Sequence, residues 1–226
     1  MNIEIPDLDP YVEAQISALV VDQDRPLIIT DADEVLFQFM AGLEEFILER
    51  EMIFDWSSFA LTGNIRDAKS NRAIDPPEVK KLLADFFAAR AGDLVPVSGA
   101  AATLKRLSQR AQVVVLSNVP ENAVTARIRC LRENDMDYPL IANIGPKGPA
   151  VRALIGDTPR PAVFIDDIPH NHKSVAEAAE SILRLHFIAH PKLATLLGPA
   201  EYSDQRLNSW PEIEVAIDQH FSKSGF

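Results

Sequence analysis

Four short runs of branched and apolar residues set the tightest limit on how this chain can fold: Leu27-Ile28-Ile29, Val113-Val114-Val115-Leu116, Ala162-Val163-Phe164-Ile165 and Ile182 to Ile188. Continuous apolar runs of this length, as in the first three, read as strands buried on both faces, which is the environment of a parallel sheet covered by helices. Three of them end in polar residues: Thr30-Asp31, Ser117-Asn118 and Asp166-Asp167. Helical patterns fill the intervals, over Gly99 to Arg110, Glu121 to Glu133, Pro149 to Ile155 and Ser174 to Ser181. A last helix opens at Ser209-Trp210-Pro211-Glu212, with Ser209 as N-cap and proline in the first turn. Alternating strand and helix predicts an α/β fold with a Rossmann-like, three-layer parallel sheet. A further helix, from Pro10 to Val21, is expected to pack on this core.

One stretch breaks the alternation. Between Phe39 and Asp93 the pattern offers helices, Met40 to Glu51 and Pro77 to Arg90, but no strand. The expected organisation is therefore a core of residues 1–38 and 94–226, with an all-helical insertion at 39–93 after the first strand. A length of 226 residues suits one domain plus about half of another. Seven of the 11 phenylalanines (37, 39, 46, 54, 59, 86 and 87) and Trp56 fall in or beside the insertion. Most should form its small core, with one or two free to line a pocket.

The net charge is −11, from 22 basic and 33 acidic side chains. That disfavours a nucleic-acid polymer as partner, because phosphate backbones reward clustered Lys and Arg. Residues 60–110 depart from the trend, with nine Lys/Arg against five acids. The first 24 residues carry six acids and no Lys or Arg, the reverse of a signal peptide's basic start. No window approaches the ~18 apolar residues of a membrane span. Cys130 is the only cysteine, so neither an internal disulfide nor a thiolate metal cluster can form. The expectation is a cytoplasmic protein without a membrane partner, with a homodimer left open.

In an open α/β sheet, ligands bind beyond the carboxyl ends of the strands. The candidates there are Asp31, Asp33, Ser117, Asp166 and Asp167, with Lys147 just before a helix start at Gly148-Pro149. Four carboxylates at one sheet edge need compensation, which a divalent cation and Lys147 can supply. Oxygen ligands without sulfur suit Mg²⁺. A carboxylate is also a competent nucleophile toward a phosphoryl group.

This ordered set resembles the haloacid dehalogenase-like superfamily. Asp31-Ala32-Asp33-Glu34-Val35 looks like its first motif, Val115-Leu116-Ser117-Asn118 its second, Lys147 its third and Phe164-Ile165-Asp166-Asp167 its fourth. The resemblance covers about Pro26 to Ile188. It implies that Asp31 is the nucleophile and a Mg²⁺ ligand. Asp33 would be the general acid/base, with its carbonyl on the metal. Ser117 would bind phosphoryl oxygens, with the backbone N–H of Asn118 beside it. Lys147 would neutralise charge, and Asp166 and Asp167 would complete the metal shell. Asp33 favours phosphoryl transfer, since dehalogenase-type members lack that second Asp. Two positions depart from the pattern: Glu34 stands where Gly is common, and Gly148 follows Lys147 where Pro is frequent.

The insertion lies where the family has its first type of cap, which implies a lid that selects substrate. Arg66, Lys69 and Arg72, in its polar middle, are candidates for gripping an anionic substrate tail; a solvated basic face is the equal alternative. His170 and His172 are placed in a loop after the fourth motif, with substrate contact the lesser reading. His186 reads as structural and Cys130 as a bystander. The expected activity is Mg²⁺-dependent hydrolysis of a small phosphate monoester, a phosphorylated metabolite, through an aspartyl-phosphate. The alternatives are a phosphotransferase or mutase using the same intermediate, and a non-catalytic regulatory protein on the same fold.

Overall fold

The computed structural model describes residues 7–157 and 159–226; residues 1–6 of the acid-rich N-terminal stretch and residue 158 lie outside the described residues. In chain order, α1 (Pro10–Ala18) precedes β1 (Leu27–Thr30). Next come α2 (Phe39–Leu48), β2 (Met52–Phe54), β3 (Ile65–Asp67) and α3 (Pro76–Arg90). The chain continues through α4 (Ala100–Leu107), β4 (Gln112–Ser117), α5 (Val124–Glu133), β5 (Leu140–Ala142), α6 (Gly148–Ile155) and β6 (Ala162–Asp166). It ends with α7 (Pro169–Ala178), β7 (Leu183–Phe187), α8 (Pro191–Leu196), β8 (Gln205–Leu207) and α9 (Trp210–Lys223).

Six strands form one parallel sheet in the order β5-β4-β1-β6-β7-β8. The apolar runs are its centre. Their alternate residues feed opposite layers, as the period of two demands. Ile28, Val113, Val115, Val163 and Ile165 pack with Leu104, Leu107, Trp210 and Ile217 of α4 and α9. Leu27, Ile29, Val114, Leu116 and Phe164 pack with Val12, Val151, Leu154 and Val175 of α1, α6 and α7. Each such side chain, taken fully out of water, contributes about 1.5–3 kcal/mol. Thr30 sits in register with both Val115 and Ile165, so the chain beyond β1, β4 and β6 emerges at one edge.

The insertion is not all-helical. Residues Met52–Phe54 and Ile65–Asp67 pair as an antiparallel hairpin, with Met52 opposite Asp67 and Phe54 opposite Ile65. Three-residue strands are too short to show alternation, and Met-Ile-Phe reads equally well as helix. Phe86 anchors the aromatic centre, edge-on to Phe39 and Phe46 at 5.1 and 5.3 Å. The chain enters and leaves the insertion side by side: Gln38 N donates to Val95 O, and Val97 N to Leu36 O, at 2.9 and 2.8 Å.

Other boundaries also differ from the sequence pattern. The Pro10 helix ends at Ala18, and the helix expected at Ser174 starts at Pro169, which moves His170 and His172 from a loop onto α7. Among the described residues, no helix is long and apolar enough to cross a membrane.

Candidate active site

The sheet edge gathers a buried charge cluster. Asp31 follows β1 and is pinned by its own N–H to Ile165 O at 2.8 Å. Its Oδ1 accepts from Ala32 N at 2.7 Å and lies 2.8 Å from Lys147 Nζ. Both contacts fall on Oδ1; among the described residues Oδ2 accepts no hydrogen bond. Lys147, the residue before α6, also bonds Asp166 Oδ2 at 2.7 Å. All three side chains are buried. Burial pushes the Asp31 carboxyl up to about 7 despite the neighbouring Lys147. Burial opposes the Lys147 charge too, but Asp166 and Asp31 outweigh it and hold the ammonium above its ordinary range.

Asp166 and Asp167 end β6 with different duties. Asp166 Oδ1 accepts from Ile168 N at 2.8 Å and Asn171 Nδ2 at 3.0 Å, while Oδ2 serves Lys147, so both oxygens are engaged. Asp167 Oδ1 is buried with no hydrogen-bond partner among the described residues. Burial, then the Asp166 and Asp31 charges, drives the Asp167 carboxyl well above its ordinary value. Carboxylate oxygens of Asp31, Asp166 and Asp167 lie within 4.8 Å of one another. An orphaned buried oxygen in an all-oxygen set fits a hard divalent cation, and Asp167 is the carboxylate with capacity to spare. The Asp33 carboxylate stands apart from this cluster: its Oδ1 accepts from Arg127 Nη2 at 2.7 Å.

A histidine backs each of the paired aspartates. His172 Nε2 lies 2.9 Å from Asp166 O, and His186 Nε2 lies 2.9 Å from Asp167 O. A carbonyl only accepts, so both Nε2 atoms carry the proton. His186 Nδ1 accepts from Ala200 N at 3.0 Å, which agrees with that tautomer. Burial lowers both imidazoles, His186 to about 4. His172 is thus a buried support behind the site, and His186 is structural.

Ser117 Oγ, at the end of β4, is buried without a partner among the described residues, a donor left for a ligand. The Asn118 side chain is exposed and tethered, donating to Gly145 O at 3.0 Å and accepting from Asn143 Nδ2 at 2.8 Å. Cys130 is buried on α5, where burial raises its thiol and suits it to packing.

A cavity of about 330 Å³ opens over the cluster, with Asp31, Asp33, Lys147, Asp167 and Asn118 in its floor. Its upper wall comes largely from the insertion: Phe39, Phe59, Leu61, Leu83 and Phe87. Three phenylalanines of the insertion therefore face the site, more than the sequence led us to expect. Trp56 does not; it stacks on His190 at 4.5 Å and donates to Glu44.

Arg66, Lys69 and Arg72 do not line the cavity. Arg66 pairs with Asp55 at 3.1 Å, Lys69 pairs with Glu51 at 2.7 Å, and Arg72 is exposed. They belong to the β2–β3 hairpin and the turn after it, away from the sheet edge. The sequence reading also missed Arg127 and Asn171. Arg127 lies one turn before the buried Cys130 and Leu131, so its position on the apolar face of α5 was the available signal.

Several solved structures share this architecture at low sequence identity. A haloacid dehalogenase family hydrolase from Deinococcus radiodurans, with bound phosphate and sodium, superposes with a TM-score of 0.58 at 16% identity, covering 88% of this chain and 97% of that one. A haloacid dehalogenase-like protein of unknown function from Agrobacterium tumefaciens gives 0.59 at 16%, covering 85% and 97%. This chain has the haloacid dehalogenase-like fold. CbbY from Rhodobacter sphaeroides, in complex with xylulose-(1,5)bisphosphate, gives 0.52 at 16%, covering 83% and 96%. No family model and no curated protein matches the sequence.

The two departures from the haloacid dehalogenase-like pattern have local causes. Glu34 has φ 60°, the left-handed region that favours glycine. Its carboxylate offsets that strain by accepting from Met40 N at 2.6 Å, near the start of α2, and from His190 N at 2.8 Å. Burial lifts this carboxyl to about 7. Gly148 lies against α7, where an added Cβ would sit 2.2 Å from Ser174 O. Its N–H donates to Ser174 Oγ at 3.0 Å, a bond proline cannot make.

Proposed function

We propose that this protein is a phosphoryl-transfer enzyme that hydrolyses a small phosphate monoester through Asp31. One observation carries the reading: Lys147 and Ala32 N hold Asp31 through Oδ1, no hydrogen bond falls on Oδ2 among the described residues, and this carboxylate lies within 4.8 Å of those of Asp166 and Asp167, with Asp33 two residues away. Phosphate bound to the Deinococcus protein and the sugar bisphosphate bound to CbbY support the same reaction class.

Asp31 Oδ2 attacks phosphorus as the bond to the leaving oxygen breaks, giving an aspartyl-phosphate. Asp33, aimed by Arg127, gives its proton to the leaving alkoxide. Asp33 then takes a proton from water, whose oxygen attacks phosphorus and releases the Asp31 carboxylate and phosphate. Lys147 and the Ser117 hydroxyl hold the phosphoryl oxygens, with the Asn118 backbone N–H beside them. Asp31, Asp167 and the Asp33 carbonyl would hold Mg²⁺, which offsets charge on the transferring group. The insertion acts as a cap that excludes water during transfer.

The test is phosphate release from a panel of monoesters with Mg²⁺. Wild type should release phosphate from at least one ester, and Asp31→Asn from none. Equal release by both proteins would sink the mechanism.

A further inference from the structure

We infer that the alcohol released from the substrate is compact, uncharged and predominantly apolar. This names the substrate class of the site above and rests on the phosphoryl-transfer reading. The cavity lining divides by chain segment. Its polar residues come from the strand ends or the chain just beyond them, whereas most of its apolar lining comes from the insertion, including Phe39, Phe59, Leu61, Leu83 and Phe87, with Ile168 and Leu193 added from the core.

The floor has little polar capacity beyond the phosphoryl group. Lys147, the only cationic side chain lining the cavity among the described residues, is shared by Asp31 and Asp166. Asn171 is used by Asp166, Asn118 by Gly145 and Asn143, and Glu34 by two backbone N–H groups. Arg66, Lys69 and Arg72 stand elsewhere. A second phosphate or carboxylate on the substrate would lie among phenyl rings, facing the acids Asp31, Asp33, Glu34 and Asp167. Such a group would lose its water without gaining a partner. A polyhydroxylated sugar would strand several hydroxyls in the same way. An alkyl or aryl group instead exchanges water for an apolar wall, and three phenylalanines offer ring edges and faces to a flat partner. The volume, about 330 Å³, is at the lower end of the roughly 300–1,000 Å³ typical of ligand sites, so the alcohol is small.

The experiment compares kcat/KM for benzyl and isopentyl phosphate with 2-phosphoglycolate, glycerol 3-phosphate and glucose 6-phosphate, all with Mg²⁺ and with Asp31→Asn as control. The apolar esters should lead by about 100-fold, the scale that unpaired polar groups and apolar contacts reach in a binding pocket. Leu83→Lys places a cation in the wall; Leu83 is half-buried, so the ammonium can reach water along its stem. The ratio of benzyl phosphate to 2-phosphoglycolate should then fall by about tenfold. Phe59→Ala should lower kcat/KM for benzyl phosphate by more than it lowers that for 2-phosphoglycolate, so the ratio falls here too. If Asp31-dependent release is as fast from a charged or sugar ester, the inference fails and phosphoryl transfer stands. If no ester gives Asp31-dependent release, both fail. A ratio unmoved by both Leu83→Lys and Phe59→Ala also overturns the inference, because the leaving group would not touch this wall.

Discussion

Arg127 Nη2 donates to Asp33 Oδ1 at 2.7 Å from a fully buried position on α5. Its guanidinium also lies 5.1 Å from the Phe37 ring centroid, which fixes the plane of the fork. The arginine thus orients the Asp33 carboxylate through Oδ1 and leaves Oδ2 clear of this contact.

Arg127→Met should therefore behave as the loss of a positioning residue. We expect kcat to fall by about 100-fold, the cost of a misplaced catalytic group, with KM barely changed. Arg127→Lys should recover part of kcat. Steady-state kinetics on the best ester checks this; a loss expressed wholly in KM would contradict it.

Lys147→Met should be among the most damaging single changes. It leaves Asp31 and Asp166 buried without their shared cation, a loss of about 3–5 kcal/mol for a broken buried pair. Adding Asp166→Asn should restore part of the stability but not the activity. Denaturant unfolding of both variants, beside a phosphate assay, separates the two effects.

Mg²⁺ should stabilise the fold through Asp167. A hundredfold excess over Kd corresponds to about 2.7 kcal/mol and a measurable rise in Tm. Chelator should reverse that rise, and Asp167→Asn should remove it. Asp166→Asn should lower Tm even without Mg²⁺, because it strips a partner from Lys147. Scanning calorimetry with and without Mg²⁺ decides whether the two aspartates differ.

Glu34 sets a pH dependence of definite sign. Its folded-state pKa is about 7, against an ordinary 4.5, so the folded protein holds the extra proton between those values. Stability from this group is therefore full below about 4.5 and falls as pH rises toward 7. Glu34→Gln removes the titration, so wild type should lose on the order of 3 kcal/mol relative to the variant across that window. His186 acts oppositely: its folded-state pKa is lowered to about 4, so its contribution is present above 6.5 and lost as pH falls toward 4. Urea unfolding of wild type and Glu34→Gln at pH 4.5 and 7.5 isolates the carboxyl.

The sheet and its charged edge were legible because short, branched apolar runs can only be buried, and the polar residues ending three of them emerge at one edge. Asp31, Ser117, Asp166 and Asp167 converge for that reason, and Lys147 joins them from the start of α6. The β2–β3 hairpin was not legible, because Met52–Phe54 is too short to carry a period. Arg66, Lys69 and Arg72 misled because a local excess of positive charge says nothing about direction; they hang on that hairpin and its following turn, two of them with acidic neighbours. Arg127 gave a local signal on the apolar face of α5, but its partner Asp33 lies 94 residues away in sequence; Asn171 was hidden because its bond to Asp166, five residues back, depends on α7 starting at Pro169. His172 was misplaced because a proline three residues earlier read as loop rather than as the first turn of α7.

Gln38 and Val95 are hydrogen-bonded neighbours, so the 56 residues between them begin and end at one point on the core. We expect such a segment to be exchangeable: replacing it wholesale should change the cavity lining of Phe39, Phe59, Leu61, Leu83 and Phe87 while β1 keeps its register against β4 and β6. The apolar wall and the charged floor would then vary independently, joined where the chain leaves and re-enters the core.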